Sequence, residues 1–507
     1  MTTFVVDGPE YWARQAPDKT AIVLGGEELT YAELDAWADA VAADLAGRGV
    51  AAGDRVGLLG ANTLAYCVTA VALFKLAAVA VPMSTRLTVG EITALTTSAE
   101  PRAFVCDADL RPQVDQAATD GPGFTVIPME ELGALRGTAA SARPPRPAVD
   151  VDDPAALIYT SGTTGTPKGV IFTNRTIMGF INEWGIADPG FNHDMRLLMV
   201  LPLGGAPGLL WGILHNAVRG STLVLEPTFI PARAVELLES QQITAMVGVP
   251  LLYEAMTAQP GFADADLSRW DTAHVGGARV SEKLLKAYAD KGVLLRQIYG
   301  MTEAGGIATS TARRDALTKP DRCGSGGVHT KLRVVRPDGS DCDPGEPGEI
   351  LIKGPSVTPG YWRDPEATAA ALKDGWMHSG DLGELDAEGS LKMVERLKDL
   401  IISGGLNIAP AEIENVIDEL PAVEEVAVIA ADDAKFGETP AAIVRLKDDL
   451  SAEEIVAHCN TRLADFKVPR YVIVADDALP RMASGKVAKR LLREQYPDIA
   501  EAYAKVR

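Results

Sequence analysis

Two short β-forming runs enclosing a loop of glycines and hydroxyls constrain this chain most. Ala155-Ala-Leu-Ile-Tyr159 is an apolar run of strand length, and Val170-Ile-Phe-Thr173 is β-branched and aromatic. Between them the chain reads Thr160-Ser-Gly-Thr-Thr-Gly-Thr-Pro-Lys168-Gly169. Glycines let backbone N–H groups approach anionic oxygens, Ser161, Thr163, Thr164 and Thr166 add hydroxyl donors, and Lys168 supplies a point charge. That inventory suits a polyphosphate and predicts that the protein uses ATP; a solvated polar loop is the alternative. The common P-loop pattern is excluded, because G-x-x-x-x-G-K-[ST] needs glycine where Pro167 stands and a hydroxyl residue where Gly169 stands. A strand, not a helix, leaves the loop, so no helix dipole receives the phosphates directly.

The chain is long enough for more than one domain: 507 residues, 47% hydrophobic and 23% charged. Asp and Glu number 69 against 48 Lys and Arg, and a net charge of −21 disfavours nucleic acid or an anionic membrane as partners. ATP must then be met by a local basic cluster. Cys67, Cys106, Cys323, Cys342 and Cys459 are odd in number and lack C-x-x-C spacing, which argues against a disulfide framework or a zinc site and for a reducing cytoplasm. The six histidines include no pair at metal-ligand spacing and are expected to be structural or solvated. Met1 to Asp7 reaches an acid at once, unlike a signal peptide. Leu64 to Met83 is apolar over a membrane-spanning length. Lys75 interrupts it, however, and β-branched residues precede Pro82, which predicts a buried helix and then a strand and no integral membrane segment.

Tyr31 to Leu45 keeps apolar residues at helical spacing, Gly49 stops it, and Arg55-Val-Gly-Leu-Leu59 starts a strand, so the chemistry is α/β. Arg136 to Asp153 reads as a surface linker, and Val335 to Pro347 has the turn residues of a β-hairpin. Three further segments carry chemistry. Gln297-Ile-Tyr-Gly-Met-Thr-Glu303, placed after a strand at Val293-Leu-Leu295, offers Tyr299 to stack on adenine, Thr302 to bond an α-phosphate and Glu303 to hold Mg2+. Asp381 and Arg396 are suited to clamp a ribose, by accepting from its hydroxyls and donating to ribose or phosphate. Ser484-Gly485 is a turn that projects Lys486 ahead of a basic helix. Each also has a plain structural explanation: a capped strand end, a turn with a solvated face, a turn before a helix.

Together and in this order, the four segments resemble the adenylate-forming superfamily of acyl-CoA synthetases, luciferases and peptide-synthetase adenylation domains, over nearly the whole chain. The resemblance implies an α/β fold, with a large N-terminal domain of mixed β-sheets, packed helices and a β region at 1–396, and a small mobile α+β C-terminal domain at 397–507. It implies that Thr160, Ser161, Gly162, Thr163, Thr164 and Lys168 meet the phosphates. Gly276, Gly277, Ala278, Gln297, Tyr299, Gly300 and Thr302 would line the adenine and AMP site, Glu303 would carry Mg2+, and Asp381 and Arg396 would hold the ribose. Lys486 would bridge the acyl carboxylate and the α-phosphate, and Lys398 falls at the hinge.

In the same resemblance Ile401 to Pro410 is the segment that acyl-CoA synthetases swing inward after adenylation, with Ser403, Gly404 and Gly405 leaving room for the pantetheine of coenzyme A. Plant-type hydroxycinnamate ligases have a lysine where this chain has Ile402, so that subfamily is not supported. Many relatives carry an aromatic or a histidine after the Pro-Leu pair, whereas this chain follows Pro202 and Leu203 with Gly204 and Gly205. With Leu210 nearby and Gly305 and Gly306 after Glu303, the acyl pocket is expected to be wide. No acid lies in that stretch to pair an α-ammonium, which argues against an amino acid. The reading is an ATP-dependent carboxylic acid:CoA ligase acting on a bulky aryl, alicyclic or medium fatty acid. An adenylation enzyme that loads a carrier protein is the alternative, and a non-catalytic nucleotide binder comes last. Monomer and homodimer both stay open, as does the base for the thiol attack.

Overall fold

The computed structural model describes residues 3–138, 146–160, 167–404, 406–482 and 487–507, and they form two compact units. The larger comprises Met1–Leu332 with Ile352–His378. In it, a six-stranded sheet runs in the order Thr125–Pro128, Ala103–Cys106, Arg55–Leu59, Val79–Met83, Pro154–Thr160, Lys168–Thr173, parallel except for the last pair. A nine-stranded sheet has at its centre the parallel strands Thr222–Leu225, Arg196–Met199, Ala245–Gly248, Thr272–Gly276 and Leu295–Tyr299.

Strand alternation divides the apolar side chains between layers. Leu197 and Met199 face one core while Leu198 and Val200 face another, and Ala156 and Ile158 oppose Leu157 in the same way. The core shared by both sheets also holds Leu34, Trp37 and Val41 from helix Tyr31–Gly47, most of helix Leu64–Lys75, and Phe180 and Trp184 from helix Asn174–Ala187. Helices therefore fill the space between two sheets, and each sheet is covered on its far face as well, as parallel sheets require.

The expected elements appear where local chemistry was strong. Thr30 and Glu33 form a capping box at the start of helix Tyr31–Gly47, with the Thr30 N–H donating to Glu33 Oε2 at 2.8 Å. The apolar stretch from Leu64 is a buried helix followed by strand Val79–Met83. Lys75 is buried there because Asp35 and Asp39, one turn apart, receive its ammonium at 2.5 and 2.6 Å. Among the described residues, no helix is long and apolar enough to cross a membrane. The five cysteines are free, and burial pushes the Cys106 thiol up to about 12 and the Cys459 thiol to about 11. Of the expected linker, 146–150 has no regular structure, and 139–145 lie outside the described residues.

The smaller unit comprises Arg333–Leu351 with Ser379–Arg507, so the expected boundary at 396/397 falls inside it. Its five-stranded sheet has the order Leu406–Ile408, Ile401–Ser403, Gly437–Leu446, Val423–Asp433, with Tyr471–Val474 pairing in parallel to Gly437–Leu446. Helices Pro410–Asp418 and Ala452–Asn460 cover one face through Ile413, Ile417, Ile455 and Cys459, and Leu492 and Ile499 pack on the other. The turn expected after Val335 forms, with Val335 bridged to Asp341, and Arg336 Nε donates to Glu346 at 2.7 Å across it.

Candidate active site

Lys168 opens strand Lys168–Thr173 and pairs in register with Thr160, so an antiparallel rung joins the two ends of the loop expected to hold phosphates. Ser161, Gly162, Thr163 and Thr164 lie outside the described residues. The strand is flanked by residues 360–362: Ile171 N–H donates to Gly360 O at 3.1 Å, Trp362 N–H to Gly169 O at 2.7 Å, and Val170 bridges Tyr361. This brings the Tyr361 ring beneath the Lys168 ammonium, 5.3 Å from nitrogen to centroid, a cation–π distance. The Tyr361 hydroxyl donates to Glu303 Oε1 at 3.0 Å. Burial, and then the charge of Glu303, hold that phenol far above its ordinary value, so it stays a donor. Two residues singled out for ATP chemistry, 135 positions apart by number (303 − 168), thus meet on one tyrosine that the sequence reading missed.

Glu303 is only 7% exposed and belongs to the short 3-10 turn Thr302–Ala304, which follows strand Leu295–Tyr299. That strand lies later than the expected Val293-Leu-Leu295, because the polar Gln297 is accommodated within it, donating through its amide to Pro320 O at 2.6 Å. The Tyr299 ring is buried, and its N–H donates to Thr309 Oγ1 at 3.2 Å. Gly276 ends the neighbouring parallel strand, where a Cβ would stand 2.3 Å from Ile298 O; Gly277 and Ala278 beyond it are exposed. Gly300 is as tightly placed, its Cβ position 2.4 Å from Gly306 O. The residues expected at the adenine therefore cluster at the carboxyl ends of two adjacent parallel strands, where open α/β sheets place their ligands.

The segment expected to gate the acyl pocket is more closely packed than its composition implies. Asn62 organises it, accepting from Leu203 N–H at 2.9 Å and donating to Leu201 O and Glu226 O. Gly204 faces backbone, since a Cβ there would lie 2.1 Å from Met83 O, whereas a Cβ on Gly205 would find only Pro207 Cδ at 3.9 Å. A π-helix, Pro207–His215, follows; such insertions are frequent at functional sites. It buries Leu210 and Trp211, and the Trp211 ring packs 4.7 Å from Phe180 and 4.8 Å from Phe191. A Cβ on Gly306 would come 3.9 Å from Trp211 Nε1, so the volume saved at the glycines is bordered by an indole. Gly305 and Gly306 have φ of +78° and +95°, and backbone conformation alone calls for glycine at both. Within the same aromatic group, burial pushes the His215 imidazole down to about 3, as fits the structural role expected of the histidines.

In the smaller unit Asp381 and Arg396 are cross-strand partners, and Arg396 Nε approaches Asp381 Oδ1 at 3.4 Å. Asp381 is buried and Arg396 half-buried. Lys398 is exposed in the 3-10 turn Leu397–Asp399, whose Asp399 pairs with Arg493 at 2.9 Å. Ser403 is buried, and Gly404, at φ +59°, donates its N–H to Phe436 O at 2.7 Å; Gly405 and Lys486 lie outside the described residues.

The family described as AMP-binding enzyme matches residues 9–362, and the AMP-binding enzyme C-terminal domain matches 412–486. A feruloyl-CoA synthase from Amycolatopsis sp is 38% identical, covering 96% of this chain and 97% of the relative. A long-chain-fatty-acid–CoA ligase from Mycobacterium tuberculosis is 39% identical, covering 92% and 93%. Among solved structures, the ATP-bound MatB of Rhodopseudomonas palustris superimposes with a TM-score of 0.88 at 31% identity, over 97% of this chain and 99% of that one. The o-succinylbenzoate coenzyme A synthetase of Bacillus subtilis in complex with ATP and magnesium ion gives 0.86 at 29% identity, over 96% and 98%.

Proposed function

Because this chain belongs to the AMP-binding enzyme family and is an acyl-CoA ligase using ATP and coenzyme A, we propose how its residues divide the work on a bulky aryl, alicyclic or medium fatty acid. The observation that carries the reading is the meeting of Lys168 and the buried Glu303 on Tyr361, a cation and a carboxylate held beside the loop that chemistry assigns to phosphates. Loading of a carrier protein is not favoured, since the relatives named above make CoA thioesters by their own names.

Thr160, Ser161, Gly162, Thr163, Thr164 and Lys168 receive the β- and γ-phosphates. Gly276, Gly277, Ala278, Gln297, Tyr299 and Gly300 line the nucleotide, Thr302 bonds the α-phosphate, and Asp381 and Arg396 take the ribose. A carboxylate that is 7% exposed and already held by a hydroxyl fits a hard divalent cation, so Glu303 would hold Mg2+, which when bound neutralises phosphate charge. The acid's carboxylate oxygen attacks the α-phosphorus, and the bond to pyrophosphate breaks. Lys486 stabilises the charge that develops there, a term whose removal typically costs on the order of 10²–10³ in rate. The thiol sulfur of CoA then attacks the acyl carbonyl and AMP leaves, with Lys398 as the pivot that exchanges Lys486 for the segment holding Ser403, Gly404 and Gly405.

The test is a screen of aryl, alicyclic and fatty acids with ATP, Mg2+ and CoA, following pyrophosphate and thioester. Stoichiometric acyl-CoA, AMP and pyrophosphate with a bulky acid support the reading. Pyrophosphate without acyl-CoA, together with acylation of a phosphopantetheinyl carrier protein, overturns it.

A further inference from the structure

Residues 356–362 clip the two charged elements of the site together. Ser356 Oγ donates to Ala304 O at 3.0 Å, and Thr358 N–H donates to Glu303 O at 2.8 Å. On the other side, Thr358 Oγ1 donates to Ile171 O at 2.7 Å, and residues 360 and 362 pair with strand Lys168–Thr173. Tyr361 itself donates its N–H to Thr368 Oγ1 at 2.9 Å, and Gly360, at φ +150°, leaves no room for a Cβ, which would stand 2.6 Å from Thr368 Cγ2. The tyrosine backbone is thus fixed on several sides. Its side chain has only two torsions, so ring and hydroxyl are placed with little freedom.

We propose that Tyr361 is a positioning residue that orients the Glu303 carboxylate for a divalent cation while its ring face seats the Lys168 ammonium. The inference rests on the reading of Glu303 and Lys168 as the cation- and phosphate-binding pair. A hydrogen bond from a neutral hydroxyl restrains a carboxylate's rotation without itself neutralising the charge, as expected of a group that positions a metal ligand. The ring contact restrains Lys168 through its π face and leaves the positive charge of the ammonium unneutralised by this tyrosine. Partners of this kind, one bond removed from the metal, typically govern it about tenfold to a hundredfold.

Tyr361→Phe keeps the ring and removes only the hydroxyl. ATP binding measured by calorimetry without acid or CoA, over a magnesium titration, reads the effect independently of turnover. The expected result is a rise of about tenfold in the Mg2+ concentration for half-saturation, with ATP affinity in metal-free buffer unchanged, which also reports an intact fold. In a Glu303→Gln background, Tyr361→Phe should add nothing. An unchanged magnesium dependence in Tyr361→Phe, with a large change in Glu303→Gln, overturns the positioning role while leaving the cation assignment standing. No change in Glu303→Gln overturns the cation assignment itself and the inference with it. Loss of ATP binding in metal-free buffer for Tyr361→Phe also overturns it, because the hydroxyl would then be holding the fold.

Discussion

The two units present their functional side chains by different means. Around Lys168 and Glu303 the backbone itself is pinned, by the antiparallel rung at Thr160, the bridge at Val170 and the Thr358 N–H on Glu303 O. Arg396 is likewise held by strand pairing, opposite Asp381, but around Lys398, just past the end of that strand, the fastening is by side-chain charge. Glu395 accepts from Ala411 N–H at 2.9 Å, across the turn that holds Lys398, and lies 3.8 Å from Lys489, which pairs with Glu414 at 2.8 Å. Burial comes first in raising the Glu414 carboxyl above its ordinary value, against the pull of Lys489. Backbone ladders fix dipoles at no cost during reaction, which suits the electrostatic half of catalysis. Side-chain pairs can exchange partners, which suits the pivot proposed at Lys398.

The largest effect that would break this contrast comes from the turn. Lys398→Pro fixes φ at the proposed pivot, so pyrophosphate release from acid and ATP should persist, while thioester formation from supplied acyl-adenylate falls about a hundredfold, the equivalent of the ~3 kcal/mol of a misplaced proline. An equal loss in both assays would make Lys398 an ordinary fold position. Two glycines in the larger unit sharpen the contrast with smaller effects. Gly204→Ala drives a Cβ toward Met83 O and should cost about 1–3 kcal/mol, seen as a lower melting temperature and the same proportional loss for wide and narrow acids. Gly205→Ala meets only Pro207 Cδ at 3.9 Å and should leave stability within about 0.5 kcal/mol, with any change in kcat/KM depending on acid width. A reversed pair of results would place the acyl gate at Gly204.

What the sequence made legible followed local chemistry. The β-branched run Val170-Ile-Phe-Thr173, the capping box at Thr30 and the helix then strand between Leu64 and Met83 are fixed by neighbours in the chain. Lys168 and Glu303 stood out because their residue types suit phosphate and metal. Tyr361 did not, because its role depends on pairing with a strand almost two hundred positions earlier, and only the Gly360-Tyr361 step, a permissive residue before an aromatic, hinted at a close approach. Gly204 was open to misreading for the same reason: small size speaks equally for a cavity and for contact with a carbonyl, and the Met83 contact is tertiary. The π-helix left no periodic signature, because Pro207-Gly208 reads as a turn before an apolar run.

The acid is activated at the α-phosphorus and then passed to a thiol. A carboxylic acid labelled with ¹⁸O in both carboxylate oxygens, turned over with ATP and CoA and analysed by mass spectrometry, tests this directly. Attack of the carboxylate on the α-phosphorus followed by release of AMP leaves one labelled oxygen in AMP, one in the acyl-CoA carbonyl and none in pyrophosphate. Acyl-CoA formed with unlabelled AMP, or label in a released phosphate, would contradict it.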